Sequence, residues 1–176
     1  MLTEQIIYSI LLALHNIALV GCAAAPFYNR NLVNTRAQYG QKLHYELDKV
    51  VEDTLQGNAP YCMAFVIVLL VTGMGIPLNY YLFHGTLKQL HPVAMVALAL
   101  KLASFLGMFV IMGKIFWGIN PRLKEIFAKF EPSKTPAPEL EKEFFQKRSR
   151  RKALCETCLK FAVAVLVFSA FLGFGG

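Results

Sequence analysis

Two ionisable residues, His15 and Lys101, lie inside stretches that are otherwise apolar. Lys101 is near the centre of a run from His91 to Trp117, and His15 is near the centre of a run from Gln5 to Ala25. A charge at the centre of a membrane-spanning helix costs about 2.5 to 3.5 kcal/mol on insertion scales, so such residues face protein, ligand or water. Neutral imidazole is a common axial ligand of haem iron, and an ammonium group pairs readily with a carboxylate such as a haem propionate. The two residues therefore indicate a candidate cofactor site. The alternative is a structural role, in which His15 forms a hydrogen bond to a neighbouring helix and Lys101 contacts backbone carbonyls and water.

The overall composition indicates an integral membrane protein. The chain has 176 residues, of which 56% are hydrophobic, and a formal net charge of +7. Such an apolar composition is not typical of a soluble domain. The positive charge does not indicate a nucleic-acid partner, because the basic residues are concentrated beside the apolar runs, as membrane topology signals are. Membrane lipid is the expected surrounding, and the sequence has no phosphate-binding glycine loop, metalloprotease helix motif or nucleophile elbow.

Four apolar runs are long enough to cross a bilayer, which takes about 20 residues of helix. The sequence thus predicts an all-α integral membrane four-helix bundle, formed by residues 1–176 as a single domain. The predicted spans cover residues 5–25, 61–83, 92–118 and 159–174. The first run also resembles a secretory signal peptide, but it lacks the basic segment that normally precedes one. We therefore interpret it as a span.

The connector of residues 29–59 is expected to contain an amphipathic helix from about Tyr39 to Leu55, closed by Gly57. This helix would lie along the membrane surface, pack under the bundle, or serve only as a structured connector. In the next span, Pro77 removes a helical hydrogen bond, which predicts a kink or local unwinding. The connection from His84 to His91 is short, so spans two and three are expected to be antiparallel neighbours.

The connector of residues 120–154 holds ten Lys and Arg residues, whereas the connector of residues 29–59 holds four and the one between spans two and three holds only Lys88. This imbalance predicts that both basic connectors are cytoplasmic and that both termini lie on the other side, in a bacterial inner membrane or a thylakoid-like membrane. Within the long connector, a proline-rich linker precedes a basic segment, Lys147–Lys152. Such a segment is typical of an anchor against anionic lipid headgroups.

His15 and Lys101 are predicted to lie at the same depth. The first and third spans run in the same direction, and each residue is ten positions from the outer end of its run. At a rise of 1.5 Å per residue, each is about 15 Å below the boundary. Small side chains accompany both residues, which favours close approach of the two helices. No Asp or Glu occurs deep within a span, so Lys101 must be neutral, snorkel, contact water and carbonyls, or meet an acidic group of a ligand or another subunit.

Cysteines and further histidines form weaker patterns. Cys155 and Cys158 make a CxxC, and Cys62 is expected at a similar depth, so the three thiols suggest metal binding or redox chemistry. Free thiols are the simpler interpretation on a reducing side of the membrane. His84 and His91 lie at opposite ends of a short connection, where they would serve as interface anchors or, less simply, as part of a metal site.

Short motifs in the first and third spans resemble known membrane proteins. The segment Ala13–Ile17 with its histidine, Gly21, and the helix exit Pro26–Val33 with Arg30 are similar to the first helix of HemJ-type protoporphyrinogen oxidases. Leu100–Leu102 followed by Gly107 is similar to their third helix, and the copper-resistance D (CopD) family shares the histidine pattern. The resemblance implies haem b or porphyrin as cofactor, His15 as ligand of the haem iron, and His15, Lys101 and Arg30 as cofactor-binding residues.

Two function classes follow. The first is a HemJ-like or CopD-like membrane protein that binds haem b or porphyrin in a redox-related role, acting as an oxidoreductase if it is an enzyme. The second is a non-catalytic accessory or assembly subunit of a larger respiratory or photosynthetic membrane complex, with partner membrane proteins or further copies of the chain. An ordered proline-rich linker would favour such a partner. A small transporter is disfavoured, because no internal repeat is visible.

Overall fold

A computed structural model describes residues 2–40, 42–87, 89–132 and 136–173, and within these ranges the regular structure is entirely helical. The helices are α1 (Leu2–Ala37), α2 (Tyr45–His84), α3 (Pro92–Gly113), α4 (Asn120–Phe127) and α5 (Pro138–Ala170). A π-helical segment, Lys114–Ile119, joins α3 to α4 without a break, and a short 3₁₀ turn, Phe171–Gly173, follows α5. Four helical stretches are long and apolar enough to cross a membrane. The predicted class, an all-α membrane bundle of four helices, is confirmed.

The prediction of a separate surface helix between the first two spans is wrong. Residues from Tyr45 onwards are the first turns of α2, and the helix continues through Gly57, Pro60 and Pro77. A glycine inside a helix costs only about 1 kcal/mol relative to alanine, which tertiary contacts readily offset. Here those contacts are made by Asp48 and Glu52, which are buried rather than turned to solvent. The start of α2 therefore packs inside the protein.

The expectation that α2 and α3 are packed neighbours is also wrong. Within the described ranges, α1 packs along α2 and α5, and α3 packs along α5, while α2 and α3 approach each other at few points. Glycines explain two of the close contacts: a Cβ on Gly21 would lie 2.6 Å from the Phe65 ring, and one on Gly107 would lie 2.9 Å from the Phe161 ring. Short connections make helices consecutive, but side-chain fit decides which helices pack together. A gap is left between α2 and α3.

Three apolar clusters hold the described helices together, and the smallest joins α1 to α2 through Val33, Val51 and Leu55. The central one contains buried residues of all the long helices: Ala18, Cys22, Val66, Leu69, Met108 and Val165. The second cluster lies at the end of the bundle that carries α4 and the start of α5, and Phe144 is its fully buried centre, packed against Leu123 and Ile126. We call this end of the bundle the charged end. The clusters fix α5 against the other helices along most of its length.

Candidate cofactor site

His15 and Lys101 line one cavity of about 160 Å³. Four helices form its walls, since α1 contributes His15, α2 contributes Gly73, α3 contributes Lys101 and α5 contributes Val165. Both ionisable side chains are partly buried. The structure therefore brings together the two residues that the helical rise places at one depth.

The imidazole of His15 has a fixed hydrogen-bond partner. Its Nδ1 lies 2.9 Å from Thr72 Oγ1. The same hydroxyl lies 2.6 Å from the carbonyl oxygen of Val68, to which it donates its single proton. Thr72 Oγ1 is therefore the acceptor for His15 Nδ1–H. In a neutral imidazole this leaves Nε2 unprotonated, with the lone pair that binds a metal.

Lys101 has no hydrogen bond or ion pair to any residue in the described part of the chain. The walls around it are mainly apolar and include Leu69, Leu98 and Phe105. A cation in such surroundings is stabilised by an anion or by polar groups that the protein itself does not supply here. The cavity thus holds a charge that is not compensated from within the chain.

The cavity borders the gap between α2 and α3. Met74 of α2 and Leu102 of α3 line it, and they are 71% and 53% exposed. In a bilayer, apolar side chains exposed at mid-span contact lipid tails. A ligand with an apolar body and an anionic group therefore has a lateral route to Lys101.

Arg30 lies elsewhere. It is 15 residues after His15, which corresponds to about 22 Å along α1. Its Nε is 4.0 Å from Glu156 Oε1 on α5, and the two side chains are 47% and 40% exposed. Of the three residues expected at the cofactor, the structure brings together His15 and Lys101 and keeps Arg30 apart from their cavity.

All four cysteines meet at a second, smaller cavity of about 60 Å³ nearer the charged end. Cys62, Cys155 and Cys158 are the predicted thiol group, and the structure adds Cys22 of α1 to them. All four thiols are free. Among the residues that the structure describes, no group of three or more His, Cys, Asp and Glu side chains is arranged to hold a metal ion. The polar part of the wall is formed by Asn29, Asn120 and Arg151.

The two histidines at the opposite end of the bundle make local contacts. His84 Nε2 lies 2.7 Å from Glu4 Oε1, and its ring stacks on Tyr80 at a centroid distance of 4.3 Å. His91 is the N-cap of α3 and accepts a hydrogen bond of 3.4 Å from the Val93 amide. His84 thus ties the end of α2 to the start of α1, and His91 caps α3.

Five buried charged residues join the helix ends at the charged end, and we call them the charge cluster: Arg36, Asp48, Glu52, Arg148 and Arg151. Arg36 forms a two-pronged pair with Asp48, with its Nε 2.6 Å from Oδ1 and its Nη2 2.7 Å from Oδ2. Arg148 Nη1 also donates to Asp48 Oδ1. Arg151 Nη2 donates to Glu52 Oε1 at 2.6 Å. The cluster links α1, α2 and α5.

Asp48 is the centre of this cluster and lies outside the predicted span of residues 61–83. Burial of its carboxyl opposes ionisation, but hydrogen bonds from Arg36 and Arg148 outweigh burial and hold the pKa of Asp48 below its ordinary value. Arg36 also donates to the carbonyl oxygens of Gly40 and Lys42. One guanidinium therefore fixes both the carboxylate and the turn that leads to α2.

Sequence reasoning missed the charge cluster. Asp48 and Glu52 lie in the segment predicted as an amphipathic helix, and Arg148 and Arg151 lie in the segment predicted as a lipid anchor. A signal was present, because the acids are four residues apart and the arginines three apart, so each pair lies on one helix face. What the spacing does not give is which two helices face each other.

Comparisons with known proteins found no matching family model, no similar curated protein and no similar solved structure. The resemblance to HemJ-type and CopD-like proteins therefore stays a sequence-based prediction.

Proposed function

We propose that the protein binds haem b or a closely related porphyrin in the His15–Lys101 cavity and serves a redox role in the membrane. The observation that supports this most directly is the hydrogen bond from His15 to Thr72, which leaves Nε2 of the imidazole free to bind iron. Lys101 adds a cation without an acidic partner in the same cavity. A haem has both complementary groups, an iron and two carboxylates.

The donor set fits a haem, whereas the enclosed volume fits only part of one. The cavity of about 160 Å³ is smaller than the roughly 300 to 1,000 Å³ of pockets that enclose drug-sized ligands. The cavity is open toward the gap between α2 and α3, where Met74 and Leu102 line it, so a larger ligand would not need to be enclosed fully.

Each residue of the cavity has a defined role in this proposal. His15 would hold the iron through Nε2, and Thr72 would keep the imidazole in the required tautomer and orientation, as outer-shell partners of metal ligands do. Lys101 pairs with a carboxylate at the edge of the macrocycle. When bound, the haem supplies one-electron redox chemistry, while the protein provides position and a water-poor environment.

Lys101 is costly to bury without a partner. An unpaired ammonium at mid-membrane costs about 2.5 to 3.5 kcal/mol on insertion scales. A carboxylate delivered by the ligand offsets this cost, because a charge-assisted hydrogen bond in an apolar cavity is stronger than one in water. The same residue would be a liability in a protein that only packs against other helices. Lys101 thus favours ligand binding over a purely structural role.

An absorption spectrum of the purified protein tests the proposal. We expect a Soret band in the protein as purified or after addition of haem, and we expect His15→Ala to abolish it. His44→Ala is the matched control, because His44 is exposed at the start of α2 and its side chain makes no capping bond. Equal loss of the band in both variants would contradict the assignment of His15.

A stable protein that stays colourless with added haem would contradict haem binding. Iron-free protoporphyrin should then be titrated, since a porphyrin site needs Lys101 but not His15. If neither compound binds and the protein purifies with a large membrane complex, the accessory-subunit hypothesis is favoured instead.

A further inference from the structure

A large groove of about 890 Å³ lies between the end of α1 and the first half of α5, outside the predicted spans. One wall is the last turn of α1 with the turn that follows it, and the other wall is one face of α5. We call it the basic groove, after its charged lining residues: Arg36, Lys42, Glu141, Lys142, Arg148 and Lys152. It is distinct from the His15–Lys101 cavity and shares no lining residue with it.

The groove is lined by five cationic side chains and one carboxylate. Arg36 and Arg148 already donate to Asp48, so the three lysines are the cations without a partner among the described residues. The carboxylate, Glu141, is already used, because its Oε1 accepts a hydrogen bond of 2.9 Å from the Leu43 amide. Lys42, Lys142 and Lys152 form no ion pair with any residue in the described ranges. Three mobile ammonium groups therefore border the groove without local compensation.

The floor of the groove adds to this imbalance. Arg148 lines it and is 5% exposed. Its Nε lies 3.6 Å from Glu52 Oε1, whereas its Nη2 has no hydrogen-bond partner. The charge cluster beneath contains three guanidinium groups and two carboxylates, so it carries one surplus positive charge. Buried donors without partners are uncommon in folded proteins and indicate a missing acceptor. An anion in the groove would supply that acceptor and offset the surplus charge.

We propose that the basic groove binds a soluble ligand that carries at least two phosphate groups, such as a nucleoside polyphosphate or pyrophosphate. Phosphate oxygens match the ammonium and guanidinium donors in both charge and hydrogen-bonding capacity. Phe145 and Val33 provide apolar surface beside the charges, on which an organic part of the ligand can pack.

The length of the groove favours a soluble ligand over a lipid headgroup. Lys152 is three residues from Cys155, which lines the inner cavity of the bundle, so Lys152 is at the end nearest the membrane. Pro138 lines the other end, and it is 14 residues, or about 21 Å of helix, farther away. Headgroups reach the first end only. A ligand in contact with both Lys142 and Lys152 must therefore enter from the aqueous side.

Calorimetric titration of the protein in phosphatidylcholine nanodiscs with pyrophosphate and with ATP tests this proposal. We expect saturable binding that weakens as salt is raised, because exposed charges are screened. The triple variant Lys42→Gln, Lys142→Gln, Lys152→Gln should bind at least about tenfold more weakly, because all three uncompensated charges are removed. Ser149→Glu, which places a carboxylate within the groove, should weaken binding in the same direction.

A matched control removes the same charge elsewhere. Lys49→Gln, Lys124→Gln, Arg150→Gln changes three exposed cations that do not line the groove, and it should leave the affinity within about twofold of the original, because distant exposed charges are screened. Equal weakening by both triple variants, or no binding of either phosphate compound, would overturn the proposal.

The lipid alternative has its own outcome. In phosphatidylcholine nanodiscs, a titration with short-chain phosphatidylglycerol should give the same result for the groove variant and the control variant if headgroups do not occupy the groove. If instead this lipid binds the control variant but not the groove variant, and pyrophosphate does not displace it, the groove is a headgroup site and the soluble-ligand proposal is wrong.

Discussion

The charge cluster and the His15–Lys101 cavity contain buried cations in opposite situations. In the charge cluster, Arg36 and Arg148 both donate to Asp48, and Arg151 donates to Glu52, so the carboxylates come from the same chain. In the cavity, Lys101 meets no carboxylate of the described residues. A buried charge needs a partner. Under the proposed function, the partner of Lys101 comes from the ligand.

This difference separates the structural charge cluster from the cavity in which we propose a ligand. The charge cluster is nearly complete without any other molecule, and it fixes the ends of α1, α2 and α5. The cavity lies beside the gap between α2 and α3, where the helices do not close upon each other. The described residues supply acids to three buried arginines but none to Lys101, which is the contrast on which our proposal of an external anion depends.

The largest loss of stability is expected from a substitution of Asp48, at the centre of the charge cluster. Asp48→Asn leaves two buried guanidinium groups without their carboxylate, and we expect a loss of about 3 to 5 kcal/mol in the free energy of unfolding, as for other broken buried ion pairs. Chemical unfolding in detergent measures it. Asp53→Asn, at an exposed site on the same helix, is the control and should change little. A loss below about 1 kcal/mol for Asp48→Asn would mean that the cluster is not structural.

Lys101→Met should change stability in the opposite direction. Without cofactor, removal of an unpaired ammonium is expected to stabilise the bundle by up to about 2.5 kcal/mol. Arg148→Met, by contrast, should destabilise it, because Asp48 and Glu52 then lose a partner. Thermal unfolding of both cofactor-free variants compares the two regions directly. Destabilisation by Lys101→Met would indicate that Lys101 has a partner within the protein.

The pH dependence of stability should follow Asp48. Its folded-state pKa is lowered, so its ionised form stabilises the fold above the unfolded-state pKa of about 3.9. That contribution is lost as the pH falls from about 4 through the lowered pKa, since protonation then breaks both arginine pairs. Melting temperatures measured across this range should fall for the natural protein, and the corresponding decrease should be absent in Asp48→Asn. Parallel curves would assign the acid transition to other groups.

The smallest effect is expected from the exposed ion pairs of α4. Arg122 Nε lies 2.9 Å from Glu143 Oε1, and this hydrogen bond holds the pKa of Glu143 below its ordinary value. Because both side chains are solvated, Glu143→Gln should lower the melting temperature only slightly, and high salt should remove the difference. A large effect that persists in high salt would place this pair among the structural contacts.

The sequence predicts the helices and the level of the cavity well, because both depend on local regularities. Apolar length defines the spans, and a fixed rise per residue places His15 and Lys101 at equal depth. Which helices pack against each other could not be predicted in this way. That α3 packs on α5 depends on the fit of Phe161 against Gly107, which no single-sequence periodicity reveals.

The charge cluster was missed for a related reason. Polarity alone assigns Asp48 and Glu52 to solvent, and only the contact with Arg148 and Arg151 across the bundle makes their burial favourable. Cys22 likewise joins the other thiols through tertiary packing of α1. Arg30 shows the opposite case. The resemblance implies that it binds the cofactor with His15, but a helix separates residues 15 positions apart by about 22 Å. Arg30 instead lies near Glu156.

The central claim is that the ammonium group of Lys101 forms an ion pair with a carboxylate of the bound macrocycle. The most direct measurement is a comparison of dissociation constants for haem and for its dimethyl ester, which lacks free carboxylates, with the natural protein and with Lys101→Met. We expect the natural protein to bind haem more tightly than the ester, and we expect Lys101→Met to bind both equally. A preference for haem that survives in Lys101→Met, or no preference in the natural protein, would contradict the account.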